Sequence, residues 1–161
     1  PGTCRDMDIE ERGAHLQSGA PFALRIHMQR ARARAEALTG ALLWRDRDAG
    51  EVVATPEIFG DAVLARKDTP TSYHLSVVVD DHLQGINLVT RGEDLRAASH
   101  LHRLLQALLG FDTPEYRFHH LLTGADGRRF AKRDKSATIK GLREAGHTPA
   151  EVVAMTGIES L

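Results

Sequence analysis

Cysteine is nearly absent from this chain of 161 residues: Cys4 is the only one, so no disulfide can form within it. A lone thiol fits a reducing compartment, and the sequence points to a cytoplasmic protein. Excess charge of either sign is also lacking. The 21 lysines and arginines almost cancel the 22 aspartates and glutamates, leaving a formal net charge of -1. The molecule as a whole is therefore no electrostatic nucleic-acid binder, and any such contact has to come from a local patch. No apolar run approaches the roughly 20 residues of a membrane-spanning helix, so no membrane partner is expected. There is no internal repeat and no low-complexity tract. The first residue is Pro1, not methionine, and nothing beside it resembles a signal peptide. The expectation is a piece of a longer protein.

What is present is an ordinary globular composition, 42% hydrophobic and 27% charged, long enough for one domain with a core. Residues 6–19 are polar and read as partly helical, with Asp8 as the cap and Glu11 three residues on. Residues 22–28 alternate apolar and polar, a strand period. Residues 29–38 favour helix by their Ala and Arg content, and Thr39-Gly40 stops it. Residues 42–54 read as a hairpin, 59–66 as a short strand, and 67–72 as a loop around Pro70. Residues 75–79 are ambiguous. Their three valines prefer strand, while Tyr73, Val77 and Asp80-Asp81 also fit one buried helix; composition favours the strand. Residues 85–90 form a clearer strand. Residues 95–109 are the clearest helix, with Leu101, Leu104, Leu105, Leu108 and Leu109 on one face and Gly110 as the stop. Residues 117–122 read as a strand and 124–127 as a turn. Ser136 can cap a helix carrying Ile139 and Leu142 that ends at Gly146, and Thr148-Pro149-Ala150-Glu151 opens a last helix with a capping box. Strands alternating with helices in the second half give an α/β class.

Three groups between residues 61 and 135 suggest a site for a carboxylate and a phosphate. Arg128, Arg129, Lys132, Arg133 and Lys135 follow a glycine turn and face one acid, Asp134. Such a loop can close over a phosphate; it can equally be a solvated charge run or touch an RNA backbone. Arg91 directly follows a predicted strand, where ligands bind in open α/β sheets. Its guanidinium can hold a carboxylate through two parallel bonds, or pair with Glu93, Asp94 or Asp80. Tyr73 precedes an apolar run, so its ring is expected to be buried with a partner for its hydroxyl. Four of the nine histidines come as pairs whose spacing sends their rings to different faces, His100 with His102 and His119 with His120. They read as surface or packing residues. Cys4, without a second cysteine, is by itself a free thiol.

An ordered series of blocks then resembles a known family. Gly60-Asp61-x-Val63-Leu64-Ala65-Arg66, Tyr73-x-Leu75-x-Val77-Val78-Val79-Asp80-Asp81, Gly85-Ile86 and Arg91-Gly92-Glu93-Asp94-Leu95 are similar to the glutamyl-tRNA synthetase catalytic domain, a class I aminoacyl-tRNA synthetase. Phe130-Ala131-Lys132-Arg133 stands where that class carries its KMSKS loop. The resemblance covers about residues 60–135 strongly, and it is the order and spacing of the blocks that make it specific. Within the family the chain looks most like the glutamyl-Q tRNA(Asp) synthetase branch. Pro1-Gly2-Thr3-Cys4-Arg5 is similar to the segment holding the last ligand of that branch's zinc site, and Phe130-Ala131-Lys132-Arg133-Asp134 suits it as well. Only about two dozen residues follow the basic loop, so no anticodon-binding domain is expected.

The resemblance implies the second half of a Rossmann-type catalytic domain over 59–135, preceded by a zinc-segment end and connective insertion over 1–58. A helical C-terminal segment over 136–161 follows. It implies activation of L-glutamate with ATP and Mg2+, then transfer to the queuosine base in the anticodon arm of tRNA(Asp). By the same carry-over Tyr73 and Arg91 contact glutamate, Lys132 contacts the ATP phosphates, and Cys4 is the fourth ligand of a Zn2+ ion. A monomer is expected. The chain departs from the family pattern in lacking the HIGH motif and the first three zinc ligands, and in having Arg129 and Phe130 at the start of the KMSKS-like loop. It should hold half an active site. The alternatives are a fragment of an ordinary glutamyl-tRNA synthetase, or a non-catalytic RNA-binding module derived from one.

Overall fold

The computed structural model describes residues 4–123 and 138–157. The chain divides into two compact units, Pro1–His119 and His120–Leu161.

In the first unit, α1 (Ile9–Gln17) starts where the Asp8 carboxylate accepts the Glu11 amide at 2.8 Å, as the spacing predicted. The strand expected over 22–28 shrinks to β1 (Leu24–Arg25), because Met28 already opens α2 (Met28–Thr39). The expected hairpin forms from β2 (Leu43–Asp46) and β3 (Gly50–Val53), antiparallel with Leu43 opposite Val53. The strand expected over 59–66 starts late. Pro56–Phe59 makes a 3-10 turn before β4 (Val63–Ala65), which pairs antiparallel with β1.

The three valines are helical: α3 (Tyr73–Leu83) replaces the strand expected over 75–79. Ser72 Oγ accepts the Leu75 amide at its start. At its end Gly85 takes φ 67° and the Ile86 amide bonds back to the Asp81 carbonyl at 2.9 Å. A β-branched residue costs a helix only some tenths of a kcal/mol, whereas burying one valine contributes about 1.5 kcal/mol or more. Val78 is buried and Val77 packs against the core, so tertiary contact outweighs local preference.

β5 (Leu88–Gly92) and β6 (Glu115–His119) run parallel, with Arg91 opposite Phe118. They are joined through α4 (Ala98–Leu109), the crossover that parallel neighbours require. The four-stranded sheet has the order β3-β2-β6-β5, with β2 parallel to β6. α4 is the central helix and packs on α2, α3 and β2. Its Leu101, Leu104 and Leu105 are fully buried as expected, and Leu109 reaches solvent. Gly110 is left-handed, and the Phe111 amide returns to the Gln106 carbonyl at 2.9 Å, closing the helix. Trp44 meets the rings of Tyr116, His100 and Phe118 edge-on at 5.4, 5.5 and 6.0 Å in the core.

In the second unit, α5 (Ile139–Glu144) is capped by Thr138, whose Oγ1 accepts the Gly141 amide at 3.0 Å, in place of the expected Ser136. α6 (Pro149–Met155) opens with the predicted capping box of Thr148 and Glu151. The turn expected at 124–127, the basic loop over 128–135 with Lys132, and Ser136 lie outside the described residues.

Candidate active site

Arg91 sits near the carboxyl end of β5, the end at which parallel sheets bind ligands. Its residue is 7% exposed. None of the ion pairs among the described residues includes it; Glu93 pairs with Arg96 instead. What holds the guanidinium is aromatic and neutral. Its Cζ lies 5.0 Å from the centre of the Tyr116 ring, and its Nη1 lies 3.1 Å from His102 Nδ1. Gln106 fixes Tyr116 in turn, donating from Nε2 to the phenol oxygen at 3.1 Å. A buried guanidinium with donors to spare and no carboxylate bonded to it among the described residues favours an anion at that point.

His102 is the centre of the group. It is 1% exposed, and its Nε2 lies 3.1 Å from His74 Nδ1. Burial, then Arg91 and His74, push its pKa down to about 3. His74 is lowered as well, by burial and then by Arg91. Both rings are neutral near pH 7, so Arg91 supplies the charge. Tyr73, first residue of α3, places its ring 5.4 Å from His74 and 6.0 Å from His102. Its expected burial is not found: Tyr73 is 51% exposed, because the first turn of α3 stands at the margin of the core. The exposed phenol is open to solutes. Two of the residues singled out from the sequence, Tyr73 and Arg91, are thus brought together, bridged by His102. The third, Lys132, lies outside the described residues.

The sequence reads His102 as a surface or packing residue; its ring is packed inside, and the link it makes between Tyr73 and Arg91 was not foreseen. Nine of the twelve residues of α4 are buried, so its polar members His102, Arg103 and Gln106 are enclosed along with the leucines. His100 does pack, accepting the Thr55 amide at Nδ1 at 2.9 Å, while His119 and His120 are exposed.

A cleft of about 240 Å³ opens at the other, amino-terminal end of β5 and β6. Asp81, Asp112 and Glu115 line it, together with Asn87 and Thr113. Burial raises the Asp81 pKa, Asp80 adds to the rise, and Arg91 opposes it. Three carboxyl groups make this cleft unsuited to phosphate or carboxylate.

Cys4 is an exposed free thiol. Among the described residues no group of three or more His, Cys, Asp or Glu side chains comes together to hold a metal, so they do not make a zinc site by themselves. The adjoining segment is fixed all the same. Arg5 reaches Asp61 Oδ2 with Nε at 3.1 Å and Nη2 at 2.6 Å, while Asp61 Oδ1 accepts the Met28 amide at 2.9 Å. Arg25 Nη1 donates to the Asp61 carbonyl at 2.8 Å. The Met28 amide and then Arg5 hold the Asp61 carboxyl below its ordinary pKa.

Residues 2–158 match the family model described as tRNA synthetases class I (E and Q), catalytic domain. The chain is 40% identical to a glutamyl-Q tRNA(Asp) synthetase of Rhodobacter capsulatus, over 98% of this chain and 56% of that protein. It is 37% identical to one of Nocardia farcinica, over 96% of this chain and 46% of that protein. It spans about half the length of these curated relatives. Among solved structures it is similar to a glutamate tRNA ligase from Elizabethkingia meningosepticum in complex with its amino acid, with a TM-score of 0.62 and 27% identity. That match covers 83% of this chain and 26% of the other.

Proposed function

Since this chain belongs to the family of class I (E and Q) tRNA synthetase catalytic domains, we propose that it is part of an enzyme activating L-glutamate with ATP and transferring it to the queuosine base of tRNA(Asp). In the first step a glutamate carboxylate oxygen attacks the α-phosphorus of ATP, and the bond to pyrophosphate breaks. The observation that carries this reading is the buried Arg91 guanidinium at the carboxyl end of β5, held by His102 and Tyr116 with no carboxylate bonded to it among the described residues. Arg91 holds a glutamate carboxylate, and the exposed Tyr73 phenol offers a hydrogen bond beside it. Lys132 contacts the ATP phosphates, where a cation stabilises charge that develops in the transition state. Mg2+ accompanies ATP and supplies Lewis-acid neutralisation of its phosphates.

The same reading assigns 1–58 to the end of a zinc segment and a connective insertion, 59–135 to half of the Rossmann-type domain, and 136–161 to a helical C-terminal segment. Cys4 is then one thiolate of a zinc site whose other ligands lie beyond the described residues. The RNA partner is the anticodon arm of tRNA(Asp), and the enzyme works as a cytoplasmic monomer.

Two assays on the intact protein test this. Glutamate-dependent exchange of pyrophosphate into ATP should be present, and Lys132→Ala should lower it by about 10²–10³-fold. Labelled glutamate should pass to tRNA(Asp) carrying queuosine and not to tRNA(Asp) lacking it. Absence of exchange, or exchange untouched by Lys132→Ala, would overturn the assignment. A second reading, charging of tRNA(Glu), is favoured by the likeness to a solved glutamate tRNA ligase. Label on tRNA(Glu) would select it.

A further inference from the structure

A guanidinium can only donate hydrogen bonds. That property orients a row of three side chains. Arg91 Nη1 lies 3.1 Å from His102 Nδ1, so Nδ1 offers its lone pair and the ring proton of His102 sits on Nε2. Nε2 lies 3.1 Å from His74 Nδ1, so His74 accepts there and carries its own proton on Nε2. Every bond in the row runs one way, from Arg91 through His102 to His74. A proton added to either ring would set two donors face to face.

We propose that His102 is a positioning residue for the substrate carboxylate. Fixed as its Nε2–H tautomer and backed by His74, it ties one N–H of Arg91 and leaves the other guanidinium donors aligned for the ligand. The proposal rests on the glutamate reading of Arg91. Tyr116 limits the guanidinium from its face, at 5.0 Å, and His102 limits it from its edge. Without the edge contact the planar group can rotate over the Tyr116 ring, and two parallel bonds to a carboxylate need a set plane. His102 is too deeply buried to touch the substrate itself, at 1% exposure, so its action passes through Arg91.

The test begins with the unmodified protein. Imidazole ¹⁵N–¹H correlation spectra at neutral pH should report His102 as the Nε2–H tautomer; an Nδ1–H tautomer or an imidazolium would overturn the proposal. His102→Leu should raise the glutamate KM on the order of tenfold, since it removes one bond to a charged donor, with the ATP KM unchanged. His102→Asn, whose Oδ1 can replace Nδ1 as acceptor, should recover most of that loss. The spectrum needs no variant, so a misfolded His102→Leu leaves the tautomer to decide. A raised KM in Arg91→Lys with a normal one in folded His102→Leu overturns the positioning role alone. Normal values in both overturn the glutamate reading and this inference with it.

Discussion

At the carboxyl end of β5, Arg91 is buried beside two neutral imidazoles; at the amino end of the same strand pair, Asp81, Asp112 and Glu115 surround an open cleft. Both ends are built from β5, β6 and the helices beside them. Between these two ends, shape alone would choose the amino end, because a cleft opens there. On the proposed reading charge chooses the other, because glutamate and ATP would bring carboxylates and phosphates. On that reading the sign of the buried charge, more than the depth of a cleft, locates the site.

The strongest way to break the contrast is Arg91→Ala. It should raise the glutamate Kd on the order of 100-fold or more, as for loss of one partner of a desolvated charge pair, measured by titration calorimetry. A normal titration would leave the two ends without a functional difference.

The ends also differ in how protons couple to stability. The native pKa of His102 is about 3, against roughly 6.5 when unfolded. Between those values the unfolded chain takes a proton that the native state refuses, so stability falls as pH drops through that window. His74 and His100 are lowered too and act in the same direction. Asp81 acts in the opposite direction. Its raised native pKa stabilises below the unfolded value, and that contribution is lost as pH rises through the folded one. Three imidazoles against one carboxyl should give urea unfolding a net loss on the order of 2 kcal/mol from pH 7 to pH 4.5. Equal stability at the two pH values would mean that the imidazoles are not desolvated as described.

Asp81→Asn should do least. Stability is expected to change by no more than about 0.5 kcal/mol, and the glutamate KM to stay unchanged. Arg91 already pulls on the half-buried Asp81 carboxyl, so a KM shift of more than about threefold would show that this coupling reaches the bound ligand.

How much of this could be read from the residues differs between fold and site. The leucine period of α4, the cap at Asp8 and the capping box at Thr148 were all legible, because each depends on neighbours within a turn or two. The valines of α3 misled because their preference is local while their burial is long-range. Arg91 could be singled out from its place at the end of a predicted strand, where a salt bridge was the alternative; no described carboxylate pairs with it. His102 escaped, because eleven positions separate it from Arg91 and twenty-eight from His74, and no short-range period joins the three. Tyr73 lies in the same cluster as Arg91 but at another depth than expected, since an apolar run following a tyrosine does not say which turn of the helix faces the core.

The Asp61 carboxylate acts as a rivet. Through it the stretch bearing Cys4 and Arg5 is fastened to the first turn of α2, and its own carbonyl adds Arg25 to the joint. A pull on the thiol would reach the α2 backbone through the Asp61 side chain, which takes two bonds from Arg5 and one from the Met28 amide. Whatever grips Cys4 therefore has a short mechanical lever on the start of α2.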